Sequence, residues 1–233
     1  MHSVTAIIPA AGDGSRLAAD ESVAGPAKAL RRLGADTLIR HAIRSLEHAV
    51  DRVVVATSTD LLTILAAELS DVPIAVDVVE GGPTRQESVR LALKSVGASA
   101  EFVLVHDAAR PLVPVEVTDR VLAALRAGAG AVVPVVPVVD TLRRRDADGS
   151  SNLVDRTSIR AVQTPQGFPV EVLRRAHAAD GAEALAATDD ASLAENIGVA
   201  VVLVDGDPAG FKVTRLLDLR VAELMVTSVP PQR

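Results

Sequence analysis

Several short segments carry cations, small residues and a carboxylate at spacings suited to phosphate chemistry. The first is Pro9-Ala10-Ala11-Gly12-Asp13-Gly14-Ser15-Arg16, followed after a polar stretch by Pro26-Ala27-Lys28. Small side chains and two glycines let the backbone curl close to a phosphate and aim N–H groups at it, while Arg16 and Lys28 add charge. The pattern is not a Walker loop, which needs Gly-Lys-Ser/Thr adjacent. Nor is it a dinucleotide fingerprint, which needs a third glycine at the helix start. A tight strand-to-helix turn is the alternative reading of this loop taken alone.

A second glycine pair lies in Glu80-Gly81-Gly82-Pro83-Thr84-Arg85-Gln86-Glu87-Ser88. Close backbone approach there, with the Ser88 hydroxyl, could read a base. The same residues also spell a helix start, with Thr84 as N-cap and Glu87 closing a capping box, and the two readings are compatible. Further on, Val105-His106-Asp107-Ala108-Ala109-Arg110-Pro111 offers an acid and a base. Asp107 could bind magnesium directly or through water, or hold a hydroxyl, and Arg110 could bind phosphate. His106 receives no catalytic role, since a strand-end imidazole is as readily a packed one. Lys212, in Gly210-Phe211-Lys212-Val213-Thr214, is a cation placed to face a cleft.

These segments need a scaffold that brings them to one edge. Runs of β-branched residues at Val4–Ile8, Val53–Ala56, Ile74–Val79, Phe102–Val105, Ala131–Val136 and Val199–Val204 read as buried strands. Helical spacing covers Leu38–His48, Leu61–Leu69, Arg85–Val96, Val115–Ala127, Val170–Ala178 and Leu216–Met225. The alternation predicts an α/β fold: a mostly parallel sheet with helices on both faces. Ligands bind such sheets at the carboxyl ends of the strands, where the candidate residues fall. Arg160–Phe168 reads as a short strand and turn. The polar stretch from Thr141 to Arg156, with its Asp148-Gly149 turn, predicts a protruding hairpin arm within 140–160. The whole of 1–233 reads as a single domain.

Composition narrows the chemistry. Aromatic residues are 1% of the chain, with three Phe and no Tyr or Trp, so base recognition has no stacking platform of rings. There is no Cys, which removes thiolate catalysis, disulfides and Cys-ligated metals. A net charge of -6 argues against a nucleic-acid or anionic-membrane surface, and no apolar run is long enough to span a bilayer. A cytoplasmic location is expected.

Taken in order, Pro9-Ala10-Ala11-Gly12-x-Gly14-x-Arg16, Lys28, Gly81-Gly82-x-x-Arg85-x-x-Ser88, Val105 to Pro111, Gln163-Thr164-Pro165-Gln166 and Lys212-Val213-Thr214 resemble the 2-C-methyl-D-erythritol 4-phosphate cytidylyltransferase family. The resemblance implies a Rossmann-like three-layer nucleotidyltransferase fold, CTP and methylerythritol phosphate as substrates, Mg2+, and a homodimer through the arm. It implies that Ala10, Ala11, Gly12, Gly14, Gly82, Arg85 and Ser88 bind CTP, with Arg16 and Lys28 as catalytic cations on the triphosphate. Asp107, Arg110, Thr141, Arg156 and Lys212 would face the acceptor phosphate. The chain departs from the family at Ala27, which intervenes between Pro26 and the lysine, and at Thr157-Ser158-Ile159-Arg160, which lacks the usual Gly and Trp. The competing readings are a pentitol (ribitol) phosphate cytidylyltransferase, differing in the acceptor pocket, and a noncatalytic nucleotide-binding regulator.

Overall fold

The computed structural model describes residues 3–11, 27–178 and 188–228. Its main sheet is built on β1 (Ser3–Pro9), which pairs in parallel with β4 (Arg52–Thr57) on one side and β6 (Ala100–Val105) on the other. Beyond β4 lies β5 (Ala75–Glu80), again parallel. Beyond β6 the chain inserts β11 (Gln166–Pro169), antiparallel, with Gln166 opposite Val105. The strand β7 (Ala131–Pro137) follows, paired with β11 at Val132 and with β10 (Arg160–Val162) further along the same edge. Its other edge takes β12 (Val201–Asp205) in parallel. Six parallel strands thus end at one edge, and the antiparallel β10–β11 pair begins its inner turn there.

The strands read as continuous apolar runs because both faces are covered. Val53, Val54 and Val55 are all fully buried, and successive residues enter different cores: Ile8, Val53 and Val55 pack with Ile43, Leu65 and Leu104, whereas Ile7, Val54 and Val105 pack with Val89, Phe168 and Leu173. The covering helices are α1 (Leu38–Arg44), α2 (Leu62–Glu68), α3 (Arg85–Ala92), α4 (Val115–Arg126), α5 (Val170–Ala178) and α6 (Asp190–Asn196). A last helix, α7 (Leu216–Ser228), packs Leu219 and Ala222 against Leu33, Leu38 and Val213. Leu33 belongs to a small hairpin, β2 (Arg32–Leu33) with β3 (Asp36–Thr37).

The α/β class and the mostly parallel sheet agree with the sequence reading, but several boundaries differ. The helix expected over Arg85–Val96 ends at Ala92 and tightens into a 3-10 turn over Leu93–Ser95, closed by Val96 N donating to Leu93 O at 3.3 Å. The helix expected over Leu38–His48 likewise ends at Arg44. The strand expected from Val199 starts at Val201, because Val199 N still bonds Ala194 O and closes α6. Neither α6 nor the β2–β3 hairpin was expected, and the turn region at 160–168 forms two sheet strands.

The arm is a hairpin of β8 (Leu142–Arg145) and β9 (Ser151–Val154), with Leu142 opposite Val154. Gly149 supplies the left-handed turn at φ 86°, and Asn152 Nδ2 donates to Asp146 Oδ2 at 2.6 Å across it.

In β11, Gly167 lies directly under α4. A Cβ built there would fall 2.5 Å from Val121 Cγ1 and 2.8 Å from Leu125 Cδ1. Gly167→Ala is therefore expected to overpack this layer and lower stability by roughly 1–3 kcal/mol in urea denaturation. An unchanged unfolding midpoint would show that α4 does not rest on this strand as described.

Candidate functional site

The strand ends converge through main-chain bonds. Ala10 N donates to Ala56 O at 2.7 Å, Gly81 N to Thr57 O at 2.7 Å, and His106 N to Ile7 O at 2.9 Å. The turns after β1, β5 and β6 are thereby held side by side. A Cβ on Gly81 would sit 3.2 Å from Ala11 Cβ and 2.8 Å from Ser88 Oγ, so the glycine permits the close approach of the first two loops. Of the phosphate loop, Ala10 and Ala11 are in place, whereas Gly12, Gly14 and Arg16 lie outside the described residues. Lys28 opens a 3-10 turn, Lys28–Leu30, anchored by the buried Ala29 in the main core.

Ser88 was expected to offer a hydroxyl to a base, and the structure gives it a different duty. It is fully buried; its Oγ accepts Gly82 N at 3.1 Å and lies 2.9 Å from Thr84 O and 3.2 Å from Gly82 O. The hydroxyl thereby shapes the Gly82 loop. Thr84 caps α3 as expected, accepting Glu87 N at 3.1 Å. The reciprocal half of the capping box is absent, because the Glu87 carboxylate pairs with Arg90.

Asp107 is the electrostatic centre. Its Oδ1 accepts Arg85 Nε at 3.0 Å, its Oδ2 accepts Lys212 Nζ at 2.7 Å, and Arg110 Nε lies 3.9 Å from Oδ2. Burial alone would raise the carboxyl pKa, but the charges of Arg85, Lys212 and Arg110 outweigh it and hold the group well below the usual carboxylate range. With both oxygens occupied by cations, direct coordination of magnesium would require displacing Lys212 or Arg85. Among the described residues no cluster of three metal-ligating side chains occurs.

Arg85, expected on CTP, bridges two carboxylates instead. Its Nη1 donates to Asp190 Oδ2 at 2.6 Å, and Asp190 Oδ1 meets His177 Nε2 at 2.9 Å, with both side chains 1% exposed. Burial works against the guanidinium charge, yet Asp190 and Asp107 together raise its pKa. Asp190 and His177 escaped the sequence reading. The available signal was Asp189, which caps α6 by accepting Ser192 N at 3.0 Å and marks the turn that delivers Asp190. Arg110, expected on phosphate, donates Nη1 to Gly210 O at 2.7 Å and Nη2 to Val162 O at 3.0 Å. It clamps three segments together beside Asp107. Arg156 donates to Val139 O at the base of the arm, near the exposed Thr141 in sequence, and neither has an ion pair to the Asp107 cluster.

The turns after β1, β5 and β6 thus lie beside a cluster in which Arg85, Arg110 and Lys212 surround Asp107. The 2-C-methyl-D-erythritol 4-phosphate cytidylyltransferase family model matches residues 4–228. The chain belongs to this family. Curated members are similar over nearly the full length: that of Saccharopolyspora erythraea is 45% identical over 230 residues, covering 96% of this chain and 99% of the relative. The Streptomyces coelicolor member is 46% identical over 234 residues, covering 95% and 84% respectively. The crystal structure of the Thermus thermophilus member superposes with a TM-score of 0.78 at 35% identity, over 97% of this chain and 99% of that one. The family match includes both the loop around Gly12 and the arm.

His106 is fully buried beside Asp107. Arg110 O, 3.1 Å from Nε2, can only accept, so Nε2 carries the proton; Nδ1 then accepts from the Thr164 hydroxyl at 3.0 Å, whose oxygen receives Asp107 N–H at 3.1 Å. Burial, only partly offset by Asp107, pushes the imidazole down to about 4. Between the ordinary value of 6.5 and about 4 the unfolded chain binds a proton that the native chain refuses. Stability should accordingly fall as pH drops through this window, by about 1.4 kcal/mol per pH unit at most. Urea titrations of wild type and His106→Gln at pH 7 and 5 check this, and equal pH slopes in the two proteins would refute it.

Proposed function

We propose that this chain transfers CMP from CTP to 2-C-methyl-D-erythritol 4-phosphate, releasing pyrophosphate and giving 4-diphosphocytidyl-2-C-methyl-D-erythritol, a step of isoprenoid biosynthesis. The family match over residues 4–228 carries this reading. The reaction forms a bond from an acceptor phosphate oxygen to the α-phosphorus of CTP and breaks the α–β bridging P–O bond. The electron pair departs with pyrophosphate. A phosphate monoester has a second pKa near ~6, so the nucleophile is already largely a dianion at neutral pH and needs no general base. The neutral, buried His106 fits that requirement.

The residues take complementary roles. The backbone of Ala10, Ala11 and Gly82, with Gly12 and Gly14, cradles CTP, and Ser88 holds Gly82 in shape. Arg16 and Lys28 stabilise the charge that builds on the α-phosphoryl oxygens and the leaving group. Lys212 meets the acceptor phosphate, oriented by Asp107, which Arg85 and Arg110 fix from behind. Magnesium would be carried by the triphosphate of CTP rather than by Asp107, a reading supported by the pairing of both Asp107 oxygens with cations and by the habit of this ion to bind substrate phosphates and few protein carboxylates. There it would neutralise charge on the leaving group. Both substrates are small soluble phosphates, and we place the reaction in the cytoplasm; no helix among the described residues is long and apolar enough to cross a membrane.

Two copies of the chain would complete the acceptor site through the arm, bringing Thr141 and Arg156 across. The support is the exposed apolar surface of this region, with Val139 80% and Leu153 68% exposed. Leu153→Asp is expected to shift the solution mass from twice 24.1 kDa toward a single chain, read by light scattering; a wild type that runs as one chain contradicts the dimer.

The decisive assay is pyrophosphate release from CTP in magnesium buffer with methylerythritol phosphate, beside ribitol phosphate and no acceptor. Release should require methylerythritol phosphate, and Lys28→Ala should lower turnover on the order of a hundredfold or more. Preference for ribitol phosphate would move the chain to the sister activity, and near-normal turnover of the variant would remove Lys28 from catalysis.

A further inference from the structure

Gln163 sits between β10 and β11 with 3% exposure, and its amide meets both main-chain groups of one residue 44 positions later. Nε2 donates to Asp207 O at 2.7 Å and Oε1 accepts Asp207 N at 3.0 Å. A carboxamide carries one donor group and one acceptor in a plane, so the pair imitates a strand-to-strand bond just past the end of β12. Gln163 is itself pinned, its N–H donating to Pro134 O at 2.8 Å. Space for the amide is kept by glycine: a Cβ on Gly206 would lie 2.3 Å from Gln163 Oε1.

The clamped segment leads directly to the acceptor-side cation. Asp207 Oδ1 accepts Ala209 N at 2.7 Å and starts the 3-10 turn Pro208–Gly210. Gly210 O receives Arg110 Nη1 at 2.7 Å, and Val213 N donates to Ala109 O at 2.8 Å. Lys212 lies between these last anchors with Nζ 2.7 Å from Asp107. Four residues, 208–211, separate the clamped Asp207 from the lysine, and they span a connection whose other end is fixed to the Asp107 turn.

We propose that Gln163 is a positioning residue for the acceptor phosphate: it sets Lys212 through the segment 206–212 without touching either substrate. This rests on the reading that Lys212 binds the acceptor. Loss of the amide would leave Asp207 N–H and C=O without their buried partner, and the segment would relax toward water to satisfy them. CTP, held by the β1 and β5 loops, lies outside this chain of contacts.

The test compares Gln163→Leu, Gln163→Glu and Gly206→Ala with wild type, Lys212→Ala and the double variant Gln163→Leu/Lys212→Ala. Gln163→Glu keeps the size but turns an oxygen toward the Asp207 carbonyl, and Gly206→Ala pushes on the amide while leaving Gln163 present. Each single change at 163 or 206 should raise the acceptor KM about tenfold while the KM for CTP and kcat stay within about twofold. The double variant should be no worse than Lys212→Ala, since Gln163 acts through that lysine. Equal changes in both KM values, or additive losses in the double variant, overturn the proposal. Amide hydrogen exchange over residues 207–213 tests the placement without any activity: it should quicken in Gln163→Leu and Gly206→Ala at unchanged exchange elsewhere, and an unaltered rate overturns the proposal as well. Wild type that releases no pyrophosphate with any acceptor would instead sink the functional reading, leaving the exchange result to stand by itself.

Discussion

A carboxylate withdrawn from water ties the site together. Asp107 lies where its desolvation would be prohibitive without compensation, and the compensation comes from two distant parts of the chain, Arg85 at the head of α3 and Lys212 beyond β12, and from Arg110 three residues on. Each cation is itself placed by something else. Arg85 is shared with Asp190, and Arg110 is fixed by the carbonyls of Gly210 and Val162. The cluster therefore acts as a cross-brace between strands that are not neighbours in sequence. Three cations face two carboxylates, so the brace keeps an excess of positive charge at the sheet edge.

That excess matters because the chain as a whole is acidic, with a net charge of -6. The positive charge of the Arg85, Arg110 and Lys212 cluster is local, set against that overall negative charge. The same arrangement lets two mutually repelling phosphates approach. On one side lie the β1 and β5 turns, whose N–H groups at Ala10, Gly81 and Gly82 are spent on Ala56 O, Thr57 O and Ser88 Oγ and hold the turns in shape. The other is met by side-chain cations whose strength is moderated by Asp107. A carboxylate in the middle of an anion site would be a liability if it were free; clamped by three cations, it orients them and offers little net charge to a ligand.

The sheet was legible in the sequence because its strands are buried on both faces and so read as unbroken runs such as Val53-Val54-Val55. The strand-end rule then directed attention to the turns holding Gly82 and Asp107 and to the segment of Lys212 past β12, and the structure places Asp107 and Lys212 in one ion pair. Less legible was whatever depends on where a side chain ends up. Sequence did not reveal that Arg110 donates to the carbonyls of Gly210 and Val162, or that the Ser88 hydroxyl bonds within its own loop. The Arg85–Asp190–His177 relay could not be read at all, since its members stand up to 105 positions apart and share no periodic pattern. Helix ends shifted for a local reason: 3-10 closure at Ser95 and the α6 turn at Val199 are set by main-chain bonds that hydrophobic spacing does not encode.

The antiparallel insertion explains why the polar string Gln163-Thr164-Pro165-Gln166 is buried almost entirely. At the junction of β10 and β11, which run in one direction along the same edge of β7, three side chains are each directed to a different segment. Gln163 meets the backbone of Asp207, the Thr164 hydroxyl meets Asp107 N–H, and Gln166 meets Asp189 Oδ2 while accepting Ala191 N. An apolar turn would pack as well, but it would leave those main-chain groups unsatisfied and the three loops free to move independently. Burying amides and a hydroxyl here converts one turn into a common reference for Lys212, Asp107 and Asp190. Since phosphoryl transfer of this kind depends on positioning more than on acid–base groups, a rigid reference of this sort contributes to the chemistry without contacting it.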